Sequence, residues 1–181
     1  MHFVSFEAPD VILTAGHCHG FFSQIRVNIY NIRSELESYE VFEAKRMHFH
    51  PNFDELWFRY DFLLLQLNGT VQSMDPVTLN SNDNVPYSGD PLTVVGWGLT
   101  DPDDSSAYPD ILREVQVSYV SNEICESTIS RGQRLYQGYI FNDMLCAAEP
   151  GKDACAGDSG APLIRAGDEP DKDLQVGVVS W

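Results

Sequence analysis

The sequence predicts an all-β fold arranged in two halves, on three observations. Most segments able to form regular structure are short and carry strand patterning, either as apolar β-branched runs or as apolar residues alternating with polar ones. A single segment, Ser121 to Ile129, carries a helix signal. Between the two strand-rich regions lies the loop-rich stretch Pro76 to Pro91, which reads as a linker. With 181 residues, 43% apolar and 12% aromatic, the chain can bury a sizeable core and is not compositionally disordered. Eleven Lys and Arg against 27 Asp and Glu leave a net charge of −16, which argues against nucleic acid and anionic membrane surfaces as partners and would mildly attract basic peptides. No run approaches the roughly eighteen apolar residues of a membrane span. Met1 to Asp10 has neither the basic start nor the uninterrupted apolar run of a signal peptide.

In chain order, Val11 to Ala15 is a strand that delivers His17 just beyond its end. His19 is expected to be a solvated loop residue, and adjacent side chains point too far apart for His17, Cys18 and His19 to hold a metal. Ser23 to Ile29 alternates, with Ile25, Val27 and Ile29 on one face against Arg26 and Asn28, as a half-buried strand does. Glu35, Glu37, Glu40 and Glu43 read as a solvated acidic face. His48 and His50 share a strand face and are expected to be structural. Phe62 to Leu67 is almost wholly apolar and predicts a strand covered on both sides, which puts Asp61 at the edge of a dry region. Asn68-Gly-Thr70 is an N-glycosylation sequon. Leu92 to Gly98 opens the second half, and the acidic, Pro-broken stretch Asp101 to Asp110 is an exposed loop without the pattern of a calcium loop. Val115, Val117 and Tyr119 alternate as a strand. Ser121 then caps a short helix carrying Ile124, Cys125, Thr128 and Ile129 on one side. Pro162 to Arg165 and Leu174 to Trp181 form a hairpin tipped by Asp168 to Asp173.

The chemistry concentrates in Gly151-Lys-Asp-Ala-Cys-Ala-Gly-Asp-Ser-Gly-Ala-Pro-Leu163. Alone, Gly-Asp-Ser-Gly would be an ordinary turn. However, His17 stands in Leu13-Thr-Ala-Gly-His-Cys18 and Asp61 in Tyr60-Asp-Phe-Leu-Leu-Leu-Gln-Leu67, so the chain presents His, Asp and Ser in that order. This is one of three orders in which unrelated folds assemble a serine nucleophile, its base and the base's orienting carboxylate. The Ser, Asp, His order of α/β-hydrolases fails, as does their Gly-x-Ser-x-Gly elbow, because Ala161 stands at its closing position. The Asp, His, Ser order of subtilisins fails too. Four cysteines, Cys18, Cys125, Cys146 and Cys155, allow two disulfides in three connectivities and suggest an oxidising compartment.

On these motifs, with Gly96-Trp-Gly98 and His50-Pro-Asn-Phe53, the chain from about Glu7 to Trp181 resembles the chymotrypsin family of serine proteases, trypsin-like branch. The resemblance implies two packed antiparallel β-barrels, residues 1–80 giving the first half and 92–181 the second within one protease domain, 1–181. It implies a serine endopeptidase with His17 as base, Asp61 as its orienting carboxylate and Ser159 as nucleophile. The N–H groups of Gly157 and Ser159 would form the oxyanion hole. Asp153, six residues before the serine, would sit at the base of the primary pocket and select Arg or Lys. Ser180 would contact Asp61, and Trp181 would line the cleft. Cys125 would be bridged to Cys146, leaving Cys18 and Cys155 as thiols. The resemblance also implies a secreted monomer acting on peptide or protein substrates, open to proteinaceous inhibitors and needing no cofactor or metal. In the family an activation strand precedes Glu7, its new amino terminus pairing with the residue matched by Asp158. A closing segment with a terminal helix follows Trp181. Without that pairing Asp158 is expected to turn outward to water, disturb Gly157 and leave the chain a poor protease. The alternative is a catalytically silent homologue or fragment that serves as a binding module.

Overall fold

The computed structural model describes residues 5–20, 24–130, 133–169 and 172–181. Ser23 of the expected second strand and two residues of the expected hairpin tip, 170 and 171, lie outside these ranges. Among the described residues the chain is almost entirely strands, with one short α-helix and one 3₁₀ turn, in the all-β double-barrel architecture.

In the first half, β1 (Ser5–Ala8) pairs antiparallel with β2 (Val11–Thr14). A separate ribbon joins β3 (Ile25–Val27) to β4 (Glu40–Phe42). β5 (Ala44–Phe49) and β6 (Leu63–Leu67) complete a sheet in the order β1-β2-β6-β5. The two-residue period of β6 sends Leu63, Leu65 and Leu67 into a core with Ile12, Ile25, Val27, Phe42 and Val71. Each buried leucine contributes roughly 2 kcal/mol of apolar burial. The expectation that this strand is covered on both sides is corrected here. Leu64 is 41% exposed, on the face of β6 opposite the core.

The second half comprises β7 (Thr78–Leu79), β8 (Pro91–Gly96), β9 (Arg113–Val120), α1 (Asn122–Ser127), β10 (Ile129–Ser130), β11 (Gln133–Arg134), β12 (Cys146–Ala148), β13 (Pro162–Arg165) and β14 (Leu174–Val178). Its main sheet runs β12-β9-β8-β13-β14-β7 over Leu92, Val94, Val117, Ala161 and Leu163. Two expectations change. The stretch read as linker contributes β7, which runs parallel to β14, with Thr78 beside Leu174, so the pairing is not wholly antiparallel. The short helix forms where expected, and the Ser121 hydroxyl accepts the Ile124 N–H at 3.4 Å. The helix nevertheless ends at Ser127, so Ile129 belongs to β10 and not to the helix, and Ile124 is exposed.

Other bonds hold α1 instead. The Asn122 side-chain amide donates to the carbonyls of Phe141 and Met144, at 3.1 and 2.9 Å, and Cys125 is joined to Cys146 with Cα atoms 6.3 Å apart. The disulfide spans a sequence separation of 21. A loop of that size removes about 3 kcal/mol of unfolded-state entropy in the chain-entropy account. This is the pairing the resemblance implies. No helix of the described residues is long and apolar enough to cross a membrane.

Candidate active site

β2 ends at Thr14, and Gly16–Cys18 winds into a single 3₁₀ turn that aims the His17 ring across the end of the sheet. Gly16 is required by space, since a Cβ there would lie 2.9 Å from the Phe53 ring and 3.0 Å from Asp61 Oδ1. Asp61 sits two residues before β6, 6% exposed, and both its oxygens are used. Oδ1 accepts the backbone N–H of His17 at 2.8 Å, and Oδ2 lies 2.7 Å from His17 Nδ1 while accepting the Ser180 hydroxyl at 2.6 Å. His17 and Asp61 come from the first half and Ser180 from the end of the second, so this carboxylate fastens the halves together.

The electrostatics follow from that geometry. Burial pushes the Asp61 carboxyl up, but hydrogen bonds from the His17 ring, the Ser180 hydroxyl and the His17 amide outweigh it and hold the group below the ordinary carboxylate range. The His17 ring is pushed up to about 10, first by its bond to Asp61 and then by the Cys18 sulfur, which lies 3.6 Å from Nε2; burial opposes both. The folded pKa of His17 lies above the unfolded 6.5, so its contribution to stability is complete below pH 6.5, as long as Asp61 stays ionised, and is lost as pH rises through about 10. Unfolding free energy, followed by urea titration, should therefore fall across that alkaline window. In Asp61→Asn the fall should be smaller. A base must be neutral to accept a proton, so any reaction through His17 should accelerate with pH well past neutrality.

Ser159 stands in the turn between Cys155 and Ala161. Gly160 donates its N–H to the Val179 carbonyl at 2.8 Å, and Val179 returns a bond to Ala161, also at 2.8 Å. Val179 precedes Ser180, so the residues that follow Ser159 are tied to the segment beyond β14 that brings Ser180 to Asp61. Among the described residues the Ser159 hydroxyl has no hydrogen bond to His17, and neither the Gly157 nor the Ser159 backbone N–H donates to a protein acceptor. Gly157 has φ +100° and Gly160 φ +84°, the left-handed region that glycine adopts without strain. A Cβ on Gly157 would also lie 3.0 Å from the Tyr108 ring.

Asp158 corrects an expectation. Instead of turning to water, its side chain points inward and the residue is 8% exposed, because two backbone amides satisfy it: Gly98 N–H donates to Oδ1 at 2.8 Å and Cys155 N–H to Oδ2 at 2.9 Å. A Cβ at Gly98 would fall on that carboxylate, which accounts for the second glycine of Gly-Trp-Gly. Asp153 is exposed, not desolvated at a closed pocket floor among the described residues. Trp181 is also exposed, its ring 5.9 Å from that of Tyr136. Two other histidines have ring partners, whereas His48, expected to be structural, is exposed. His50 stacks on Tyr60 at 4.7 Å and accepts the Asn52 N–H, while His19 packs edge-on against Phe49. In the acidic stretch, Glu37 accepts the N–H groups of Tyr30 and Asn31, and Glu40 those of Gln72 and Ser73.

Sequence reasoning missed the fastening of the loop before Asp61. Phe58 and Tyr60 have φ of 51° and 48°, unusual for aromatic residues. Asp143, from the second half, holds this backbone in place: Oδ2 accepts the Tyr60 N–H at 2.8 Å while Oδ1 accepts Arg59 Nε and Nη2 at 3.1 and 2.9 Å. Burial pushes the Asp143 carboxyl up, but these donors hold it below the usual range. Phe58 is thereby set edge-on to the His17 ring, with centroids 5.4 Å apart. No local signal marks an aspartate that acts 83 positions away.

Comparison with known proteins matches residues 5–181 to the family model described as Trypsin. The chain is 37% identical to Trypsin 5G1 of Aedes aegypti over 94% of its own length and 61% of that protein's. It is 34% identical to Tryptase of Mus musculus over 100% and 69%. With Kallikrein-15 of Saguinus oedipus the identity is 29% over 98% and 69%. The chain thus spans between about three fifths and seven tenths of these relatives.

Proposed function

The chain belongs to the trypsin family of serine proteases, and from that premise we propose that it is a secreted endopeptidase that cleaves peptide bonds after Arg or Lys through His17, Asp61 and Ser159. The observation that carries this reading is the Asp61 carboxylate, which holds His17 Nδ1 at 2.7 Å and Ser180 at 2.6 Å across the two halves. Nδ1–H is thereby fixed toward Asp61, leaving Nε2 as the basic nitrogen. In the first step Nε2 takes the Ser159 proton as Oγ attacks the scissile carbonyl. Negative charge that develops on the carbonyl oxygen is met by the uncommitted N–H groups of Gly157 and Ser159, each worth roughly 3 to 4 kcal/mol to the transition state. The imidazolium then protonates the leaving amine, giving an acyl-Ser159 ester that water hydrolyses by the same proton path in reverse. Asp153 supplies the negative charge for a cationic side chain that would cover it from water on binding, and a neutral side chain covering it would leave the carboxylate unpaired and be penalised.

A second reading, a silent homologue that binds without cleaving, draws on the position of His17 Nε2, which lies against Cys18 and makes no hydrogen bond to Ser159. Hydrolysis of an Arg-containing chromogenic peptide separates the two. The purified chain should turn it over and its Ser159→Ala variant should not. Asp153→Ser should lower this cleavage by about a hundredfold or more, since tenfold corresponds to about 1.4 kcal/mol and the ion pair is worth several. Active-site labelling should change far less. Equal loss of both would make Asp153 structural, and a folded, silent chain would favour the binding module.

A further inference from the structure

We propose that Asn68 is an N-glycosylation site whose glycan projects from the end of the first half opposite His17 and Asp61. Asn68-Gly-Thr70 is the only Asn-x-Ser/Thr triplet in the sequence, and its middle residue is not proline. A sequon is productive where a transferase reaches both the amide and the hydroxyl. The structure presents both, because Asn68 and Thr70 are exposed in the turn that follows β6.

The amide is also oriented. Asn68 donates its backbone N–H to the Glu43 carbonyl at 3.0 Å, and its Oδ1 accepts the Glu43 N–H at 3.1 Å. With the oxygen turned to the protein, Nδ2 is the outer atom, and among the described residues it donates to no protein acceptor. Gly69 fits beneath, where a Cβ would approach the Phe42 ring to 3.0 Å, so the turn backbone packs on the core while the side chains on either side face out.

The co-substrate class is an oligosaccharide carried on a lipid diphosphate. Nδ2 attacks the anomeric carbon, the new N–C bond replaces the C–O bond to the diphosphate, the lipid diphosphate departs with the bonding pair, and the amide gives up one proton. Asn68 lies seven residues beyond Asp61 along an extended strand, roughly 20 Å at 3.3 Å per residue. A glycan there leaves the candidate site open.

The test uses the Ser159→Ala chain, so that autolysis plays no part and failure of the protease reading does not affect the result. The chain is secreted from eukaryotic cells behind a heterologous leader. Treatment with a peptide amidase that releases N-glycans should increase its electrophoretic mobility and convert Asn68 to aspartate in the mapped peptide. Thr70→Ala, which leaves the Asn68 and Glu43 bonds intact, should abolish the shift, and Thr70→Ser should retain it. A secreted chain with unmodified Asn68, or a shift that persists in Thr70→Ala, would overturn the proposal.

Discussion

Asp61→Asn is expected to reduce fluorophosphonate labelling of Ser159, and peptide hydrolysis with it, by about 10⁴-fold, the size established for this change in the family, while the chain stays folded. The reason is the proton. An asparagine at this position offers an N–H to His17 Nδ1 where the carboxylate offers a lone pair, so the ring hydrogen moves to Nε2 and that nitrogen can no longer accept the Ser159 proton in the proposed reaction. The carboxylate's bonds to the His17 amide and the Ser180 hydroxyl, at 2.8 and 2.6 Å, belong to position and not to proton transfer. An amide oxygen retains part of them. Labelling rates measured from neutral to alkaline pH check the account: the variant should lose rate at every pH. A loss below tenfold would mean that His17 does not act through the nitrogen opposite Asp61.

Asp158→Ala carries the second large effect. The carboxylate accepts the Gly98 and Cys155 amides in a buried position, so its removal leaves two donors without acceptors, at about 1 to 3 kcal/mol each. The same change releases the turn that holds Gly157 at φ +100°. Urea unfolding should show a loss of about 2 to 6 kcal/mol. Labelling of Ser159 should fall further than stability alone explains, because the candidate oxyanion donors flank this residue. Asp158→Asn, with one carbonyl still able to accept, should lose less of both. Unchanged labelling in a folded Asp158→Ala chain would separate the turn from the chemistry.

The sequence made much of the architecture legible. Apolar runs placed β2 and β6, alternation placed β3 and β9, the Ser121 cap placed α1, and the motif resemblance supplied the Cys125 to Cys146 bridge and the Ser180 contact. What it left unreadable depends on partners distant in the chain. Leu64 reads as core from an apolar run, but which face of the sheet meets the core decides that it is exposed. β7 is two residues inside an Asn- and Pro-rich stretch, and its parallel pairing with β14 arises from the chain's return, not from any local pattern. The inward turn of Asp158 depends on two amides, one of them 60 positions away at Gly98. Asp143 looks like any loop aspartate until Arg59 and Tyr60 are brought against it.

The most direct measurement is mass-spectrometric mapping of the fluorophosphonate adduct on the folded chain. A single adduct is expected at Ser159, formed faster as pH rises above neutrality and absent from His17→Ala. A folded chain that leaves Ser159 unlabelled, or labels it equally well without His17, would contradict it.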